Sequence, residues 1–326
     1  MSDKKRISVI IPIRNAGNKL RNCLDAVTKQ SRKPDEIIVV DGDSTDDSLL
    51  IASKYTVRIL HEGYHNRAGG CQVGLINSIG DYIAFTDSDC IPDQKWLENL
   101  ERNFEGDDNI GLAGATIFKK STSLMGESIR LALSSFIGSG NSVQYRVYGK
   151  KRRIRCPSGC NSIYRRSALD AVGGFDTRLS GGEDEEISKR LSELGYFLYI
   201  PDAWVHHDTD MVALKSYAMR MMNYGKWGAE SSARSINNVV AYVPVVLLIT
   251  ISLSIWIIVI SIAIYILITL AYSIYFSLSQ RRVPYIWTIP IVYALGHIGY
   301  VIGYWKQEVI QIAKDVERKF NKKKTV

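Results

Sequence analysis

The sequence predicts an α/β domain with a mostly parallel sheet, followed by an α-helical transmembrane region. Three observations lead there. Roughly the first hundred residues alternate short apolar strands with amphipathic helices. Polar, often acidic, residues follow the strands. Between Val239 and Ser279 there is no charged side chain, over twice the length of about 20 residues that one helical span needs.

The elements follow in order. RISVIIPI (6–13) is a buried strand rich in β-branched residues, closed by Pro12 to Asn15. LRNCLDAVTKQ (20–30) carries Leu20, Cys23, Leu24 and Val27 on one helical face. EIIVVD (36–41) is a second strand, and STDDSLLIASKY (44–55) a helix with Ser44 and Asp46 as candidate N-caps. VRIL (57–60), a helix over Arg67 to Ser78, and DYIAFT (81–86) complete the run. Such alternation implies a parallel sheet covered on both faces, with ligands beyond the C-terminal strand ends.

The chain divides into a catalytic-type domain over 1–235, apolar helices over 236–305 and a basic tail over 306–326. The charge-free run fits two tightly joined spans, and Pro284 to Tyr304 could supply a third. Arg234, Arg281, Arg282 and the tail's Arg318, Lys319, Lys322, Lys323 and Lys324 all favour the cytosolic side. Three full spans would put the tail outside, so the number of spans stays open between two and three. MSDKKRISVIIP has too brief an apolar run for a secretory signal, which keeps the first domain in the cytosol. The net charge of +8, with a basic tail beside apolar helices, points to anionic lipid headgroups. Nucleic acid is disfavoured, because no basic, aromatic-interleaved motif is present. The five cysteines read as reduced thiols. CPSGC (156–160) lacks two further zinc ligands at suitable spacing and reads as a loop.

Three acidic segments stand out. In FTDSDC (85–90), extended geometry would turn Asp87 and Asp89 the same way, ready to share one hard cation; solvated loop carboxylates are the alternative. In DGDSTD (41–46), an Asp can accept hydrogen bonds from a base or ribose, or simply cap a helix. In GGFDTRLSGGEDEEISKRLSELGY (173–196), glycine pairs frame a loop and four acidic residues open a helix. Those charges suit the helix dipole, and a carboxylate there can also act as a general base.

SVIIPIRN (8–15), IIVVDGDSTDDS (37–48), GDYIAFTDSDC (80–90) and GGFDTRLSGGEDEEISKRLSELG (173–195) stand in a familiar order and spacing. Over roughly residues 7–208 the chain resembles the family 2 inverting glycosyltransferases. It is similar to the dolichyl- and polyprenyl-phosphate sugar transferases, which carry C-terminal membrane helices. The resemblance implies a GT-A, Rossmann-like fold and metal-dependent transfer from a UDP- or GDP-sugar to a lipid-linked acceptor. It implies that Pro12, Asn15, Asp41 and Arg67 line the nucleotide site, and that Asp87 and Asp89 form a DxD pair holding Mg²⁺ or Mn²⁺ with His207. Asp184 matches the catalytic base. Glu183, Arg220 and Trp227 would contact acceptor or diphosphate. Where the family has Asp-Asp-Gly-Ser, this chain has Asp41-Gly42-Asp43-Ser44. It also lacks the Gln-x-x-Arg-Trp signature of processive synthases, which favours transfer of a single sugar.

Two other classes compete. A non-catalytic nucleotide-sugar-binding subunit of a membrane glycan-assembly complex would have no need of Glu183-Asp184. A transporter lobe is disfavoured because His297 is the apolar segments' only ionisable side chain besides tyrosine. The membrane helices could also carry a homo-oligomer contact.

Overall fold

The computed structural model describes residues 5–104, 106–140, 142–208, 213–230, 242, 243, 246 and 255–324. It has two compact units. One comprises Met1–Lys119 with Asn141–Thr209, the other Lys120–Gly140 with Asp210–Val326.

The first unit opens with β1 (Ile7–Ile13), α1 (Asn18–Thr28), β2 (Glu36–Asp41), α2 (Ser48–Ala52), β3 (Arg58–His61), α3 (Arg67–Asn77) and β4 (Tyr82–Thr86). β5 (Cys90–Pro92), α4 (Trp96–Glu101) and β6 (Asn109–Phe118) follow. The chain leaves through α5 (Leu124–Ser134) and α6 (Phe136–Ser139) of the second unit. It returns as β7 (Arg152–Ile154), β8 (Asn161–Arg165), α7 (Arg166–Ala171), α8 (Glu183–Leu191) and β9 (Tyr196–His207). The second unit adds α9 (Leu214–Glu230), α10 (Ile255–Gln280) and α11 (Tyr285–Lys324).

One sheet runs β3-β2-β1-β4-β8-β6-β9-β5, with β7 also on β9. Its first four strands are parallel, as expected. The remainder is mixed, because β8 runs antiparallel between β4 and β6. Period-two burial explains the two covered faces. Ile7, Val9, Ile11 and Ile13 pack on α1, α2 and α4 through Leu20, Leu24, Ile51 and Trp96. Ile10 faces the opposite way, among Cys71, Leu75, Leu169 and Ile187 of α3, α7 and α8. The expected face of α1 is the buried one, Leu20, Cys23, Leu24 and Val27. β1 spans Ile7–Ile13, inside the expected 6–13, with Pro12 paired to Val40. One boundary differs from expectation. α2 starts only at Ser48, since Asp46 Oδ1 takes the Ser48 N–H at 3.0 Å in a local turn.

Strand order reverses beside β1, which lies between β2 and β4. A crevice for ligands belongs at such a switch point.

In the second unit, Gly296, Gly299 and Gly303 form a stripe on α11 that meets α9. A Cβ at Gly303 would lie 1.9 Å from the Met222 carbonyl, and one at Gly225 of α9 would lie 2.0 Å from that of Tyr300. The helices touch backbone to backbone, the packing that small-residue stripes allow in apolar helices. Ser128 and Thr288 hydroxyls meet at 2.7 Å, and Tyr293 donates to Ser135 at 2.9 Å, joining α5 to α11. Val259–Gln280 and Tyr285–Lys314 are long and apolar enough to cross a membrane, with mean hydropathy 2.2 and 1.5. The basic tail continues α11 without a break. The expected first span falls mostly within 231–254, outside the described residues except Tyr242, Val243 and Val246.

Candidate active site

Arg67, the first residue of α3, is the centre of the arrangement. Its N-cap Asn66 accepts from the Gly69 N–H at 2.8 Å, which fixes the start of the helix. All five guanidinium N–H donors are committed. Nε and Nη2 donate to one oxygen of Asp87 at 3.0 and 2.7 Å. Nη2 also reaches the Gly159 carbonyl at 2.8 Å, and Nη1 donates to Glu183 and to the Cys71 sulfur. Burial opposes the Arg67 charge, but Asp87, the Cys71 thiol and Glu183 outweigh it and hold the pKa well above its ordinary value.

Gly159 links this centre to α8. Its N–H donates to Asp184 Oδ2 at 3.3 Å while its carbonyl accepts from Arg67. A side chain would not fit, since a Cβ would lie 2.8 Å from Arg67 Nη1. α8 starts after Gly182 at φ +73°, and Glu183, Asp184, Glu185 and Glu186 fill its first turn. Asp184 is pushed up to about 7, first by burial and then by the charges of Glu183 and Glu185, against the pull of Arg67 and the Gly159 N–H.

Asp87 and Asp89 occupy a tight turn between β4 and β5, not an extended segment; the Asp87 carbonyl accepts from the Cys90 N–H at 3.0 Å. The expected shared orientation of i and i+2 side chains therefore does not apply, and the turn does the gathering. It is pinned from both sides. The Cys23 thiol donates to the Asp87 carbonyl at 3.4 Å, and the Asp208 N–H donates to the Asp89 carbonyl at 2.8 Å. Donor atoms of Asp87, Asp89 and His207 lie within 4.8 Å of one another, with His207 Nδ1 3.7 Å from Asp89 Oδ2. Two carboxylates and an imidazole fit a divalent ion such as Mg²⁺ or Mn²⁺.

The remaining first-unit residues ring the C-terminal ends of β1 and β2. Pro12 is half-buried against Gly70, where a Cβ would lie 3.0 Å away. Asn15, at φ +51°, accepts from the Thr45 N–H at 2.7 Å and its own N–H donates to Ser44 at 2.9 Å. Asp41 is buried and takes the Ser44 N–H at 3.2 Å. Arg220 and Trp227 belong to the second unit. They line a cavity of about 560 Å³ along α9 with Lys215, Ser216, Met219, Asn223 and Tyr224.

Sequence reading missed two contributors. Gly159 lies in the loop that the sequence predicts, and only the folded chain shows that a side chain there would meet Arg67. Cys160 does have potential co-ligands, Cys90 and His207, on other strands. CPSGC is a loop, as expected, and short-range spacing cannot register the partners that a sheet brings to Cys160.

This arrangement, on a sheet that is parallel and then mixed, defines a GT-A-type glycosyltransferase fold. The chain belongs to glycosyl transferase family 2, whose model matches residues 8–173. It is 28% identical over 200 residues to glycosyltransferase AglE of Haloferax volcanii, covering 59% of this chain and 63% of that one. It is 30% identical over 233 residues to the pre-mycofactocin glycosyltransferase of Mycobacterium tuberculosis, covering 70% and 48%. The chain therefore spans less than two thirds of either relative's length. Among solved structures it is similar in fold to the mannosyltransferase PcManGT from Pyrobaculum calidifontis, determined with GDP-Man and Mn²⁺. The TM-score is 0.55 at 16% identity, covering 72% of this chain and 66% of that one.

Proposed function

We propose that this protein is a divalent-cation-dependent, inverting glycosyltransferase that moves one sugar from a UDP- or GDP-sugar to a membrane-associated, lipid-linked acceptor. The observation that carries the reading is the Arg67 clamp. From Arg67 it reaches Asp87, at the cation turn, 20 residues on, and Glu183, beside the candidate base, 116 residues on. Asp87, Asp89 and His207 would hold Mg²⁺ or Mn²⁺, and the ion when bound offsets the negative charge of a departing nucleoside diphosphate.

The chain's own residues account for the rest. Pro12, Asn15 and Asp41 border the place for the nucleoside. The acceptor oxygen attacks the anomeric carbon from the face opposite the diphosphate, and the bond from that carbon to the diphosphate oxygen breaks. Its electron pair stays on the diphosphate. For a hydroxyl acceptor, Asp184 takes the proton; its partly buried carboxylate, with a pKa near neutrality, supports that role. A lipid phosphate is already ionised, and Asp184 would then orient it. Arg67 has no donor left over, so it acts as a positioning residue for Asp87 and Glu183.

The cavity on α9 supports a lipid phosphate as acceptor. Lys215 and Arg220 offer charge, and Met219 and Trp227 offer apolar surface to a chain. The two long apolar helices support a multi-pass membrane protein, and the basic residues at their ends support a catalytic domain on the cytosolic side.

The test is to supply the full chain with UDP- and GDP-sugars and a membrane lipid extract, with and without Mn²⁺, and to identify products by mass spectrometry. A glycosylated lipid formed only with the ion is expected. Nucleotide-sugar binding with neither transfer nor hydrolysis would overturn the proposal and leave a non-catalytic binding subunit.

A further inference from the structure

A trio of softer donors lies against the carboxylate pair. Cys90 opens β5 directly after Asp89, and the antiparallel register sets it opposite His207 on β9. Cys160 comes from the loop entering β8, where Ser158 and Asn161 form an isolated bridge. Both sulfurs and a ring nitrogen of His207 lie within 4.8 Å of one another. The three residues are 0, 2 and 6% exposed. Metal–sulfur and metal–nitrogen bonds of about 2.3 and 2.0 Å set tetrahedral donors roughly 3.5–3.8 Å apart, so the trio stands within about an ångström of that spacing. The imidazole plane is held by Phe118, stacked on it at 4.9 Å and 20°, and Phe118 is stacked in turn on Tyr145 at 5.2 Å. Three protein ligands with an open fourth position match the zinc sites that keep one place for water or another small ligand.

We propose that Cys90, Cys160 and His207 form a second cation site, one that takes a thiophilic divalent ion such as Zn²⁺ and in doing so withdraws His207 from Asp87 and Asp89. Thiolate and imidazole donors select zinc over magnesium and manganese, whereas the carboxylate pair prefers the hard ions. Each thiol that becomes a ligand releases its proton to solvent. One imidazole then serves two neighbouring sites of opposite preference. Zinc at the thiol site weakens the hard-cation site, and the protein gains sensitivity to the ratio of the two metals. This second consequence rests on the proposed role of Asp87, Asp89 and His207; the thiol site itself does not.

The test uses the full chain in detergent, stripped of metal, with Co²⁺ as a spectroscopic substitute for zinc. The wild type should show a near-ultraviolet thiolate-to-cobalt band at one equivalent. Cys160→Ser should lose the band and Asp89→Asn should keep it. With free Mn²⁺ followed by electron paramagnetic resonance, equimolar Zn²⁺ should weaken Mn²⁺ binding in the wild type by about tenfold more than in Cys160→Ser, where zinc can compete only directly at Asp87, Asp89 and His207. Should Cys160→Ser fail to fold, Cys90→Ser replaces it, and a zinc-induced rise in the wild-type Tm provides a reading that needs no variant. Cobalt binding without a thiolate band overturns the site. An equal effect of zinc on Mn²⁺ binding in wild type and variant overturns the coupling. A chain that shows the band but binds no Mn²⁺ sinks the hard-cation reading alone.

Discussion

Arg67 gives two of its N–H groups to a single oxygen of Asp87, Nε at 3.0 Å and Nη2 at 2.7 Å. The other donors reach Glu183, Gly159 and Cys71. Arg67→Ala therefore leaves two carboxylates without their cation. Removing one partner of such a mostly buried pair is expected to cost about 3 kcal/mol or more. Urea denaturation checks it, and an unchanged midpoint would show that the clamp contributes nothing.

Gly159→Ala should displace the guanidinium, because the added Cβ would sit 2.8 and 3.0 Å from its two terminal nitrogens. Such overpacking is expected to cost about 1–3 kcal/mol and to lower turnover further. Gly149→Ala is the control. Nothing lies within 4 Å of a Cβ there, so its midpoint should stay within about 0.5 kcal/mol of wild type. Equal behaviour of the two variants would remove Gly159 from the site.

Asp184 carries a pH signature. With its pKa raised to about 7 by burial and by Glu183 and Glu185, it is a free base only above neutrality. For a hydroxyl acceptor, kcat/KM should rise with pH through about 7 and then level off. Stability runs the other way. The folded state holds this proton more tightly than the unfolded chain, so the contribution is full below the ordinary aspartate value of 3.8 and is lost as pH rises through about 7. Asp184→Asn should spare donor binding, slow hydroxyl transfer by about a hundredfold or more and flatten both profiles. Full turnover in that variant would exclude Asp184 as the base.

Asp89→Ala should weaken Mn²⁺ binding by more than the roughly ten- to hundredfold that loss of a partner behind a ligand costs, and abolish cation-dependent nucleotide binding; a chelator should do the same to the wild type. Titration calorimetry of nucleotide with and without Mn²⁺ reads both. Sugar transfer at the normal rate by Asp89→Ala would end the metal reading.

Gly303→Leu should drive α9 from α11, since even its Cβ would lie 1.9 Å from the Met222 carbonyl. A lower Tm and a faster loss of detergent-purified protein are expected. An unchanged Tm would show that backbone contact between these helices is dispensable.

Much of this protein was legible in one dimension. The continuous buried run of β1, the Leu20-Cys23-Leu24-Val27 face of α1 and the acidic first turn of α8 are local patterns, set by chain geometry, and each reads directly from the residues. The charge-free stretch likewise announces apolar helices, because a desolvated charge is expensive wherever the helix packs. Tertiary structure decided what depends on partners distant in sequence. It reversed β8 between β4 and β6, folded Asp87 and Asp89 into a turn, and set Cys160 beside Cys90 and His207. It also committed every donor of Arg67 to groups 4 to 116 residues away. Hydrogen bonds and ion pairs of that reach carry no periodicity, so only the folded chain shows which carboxylate meets which cation.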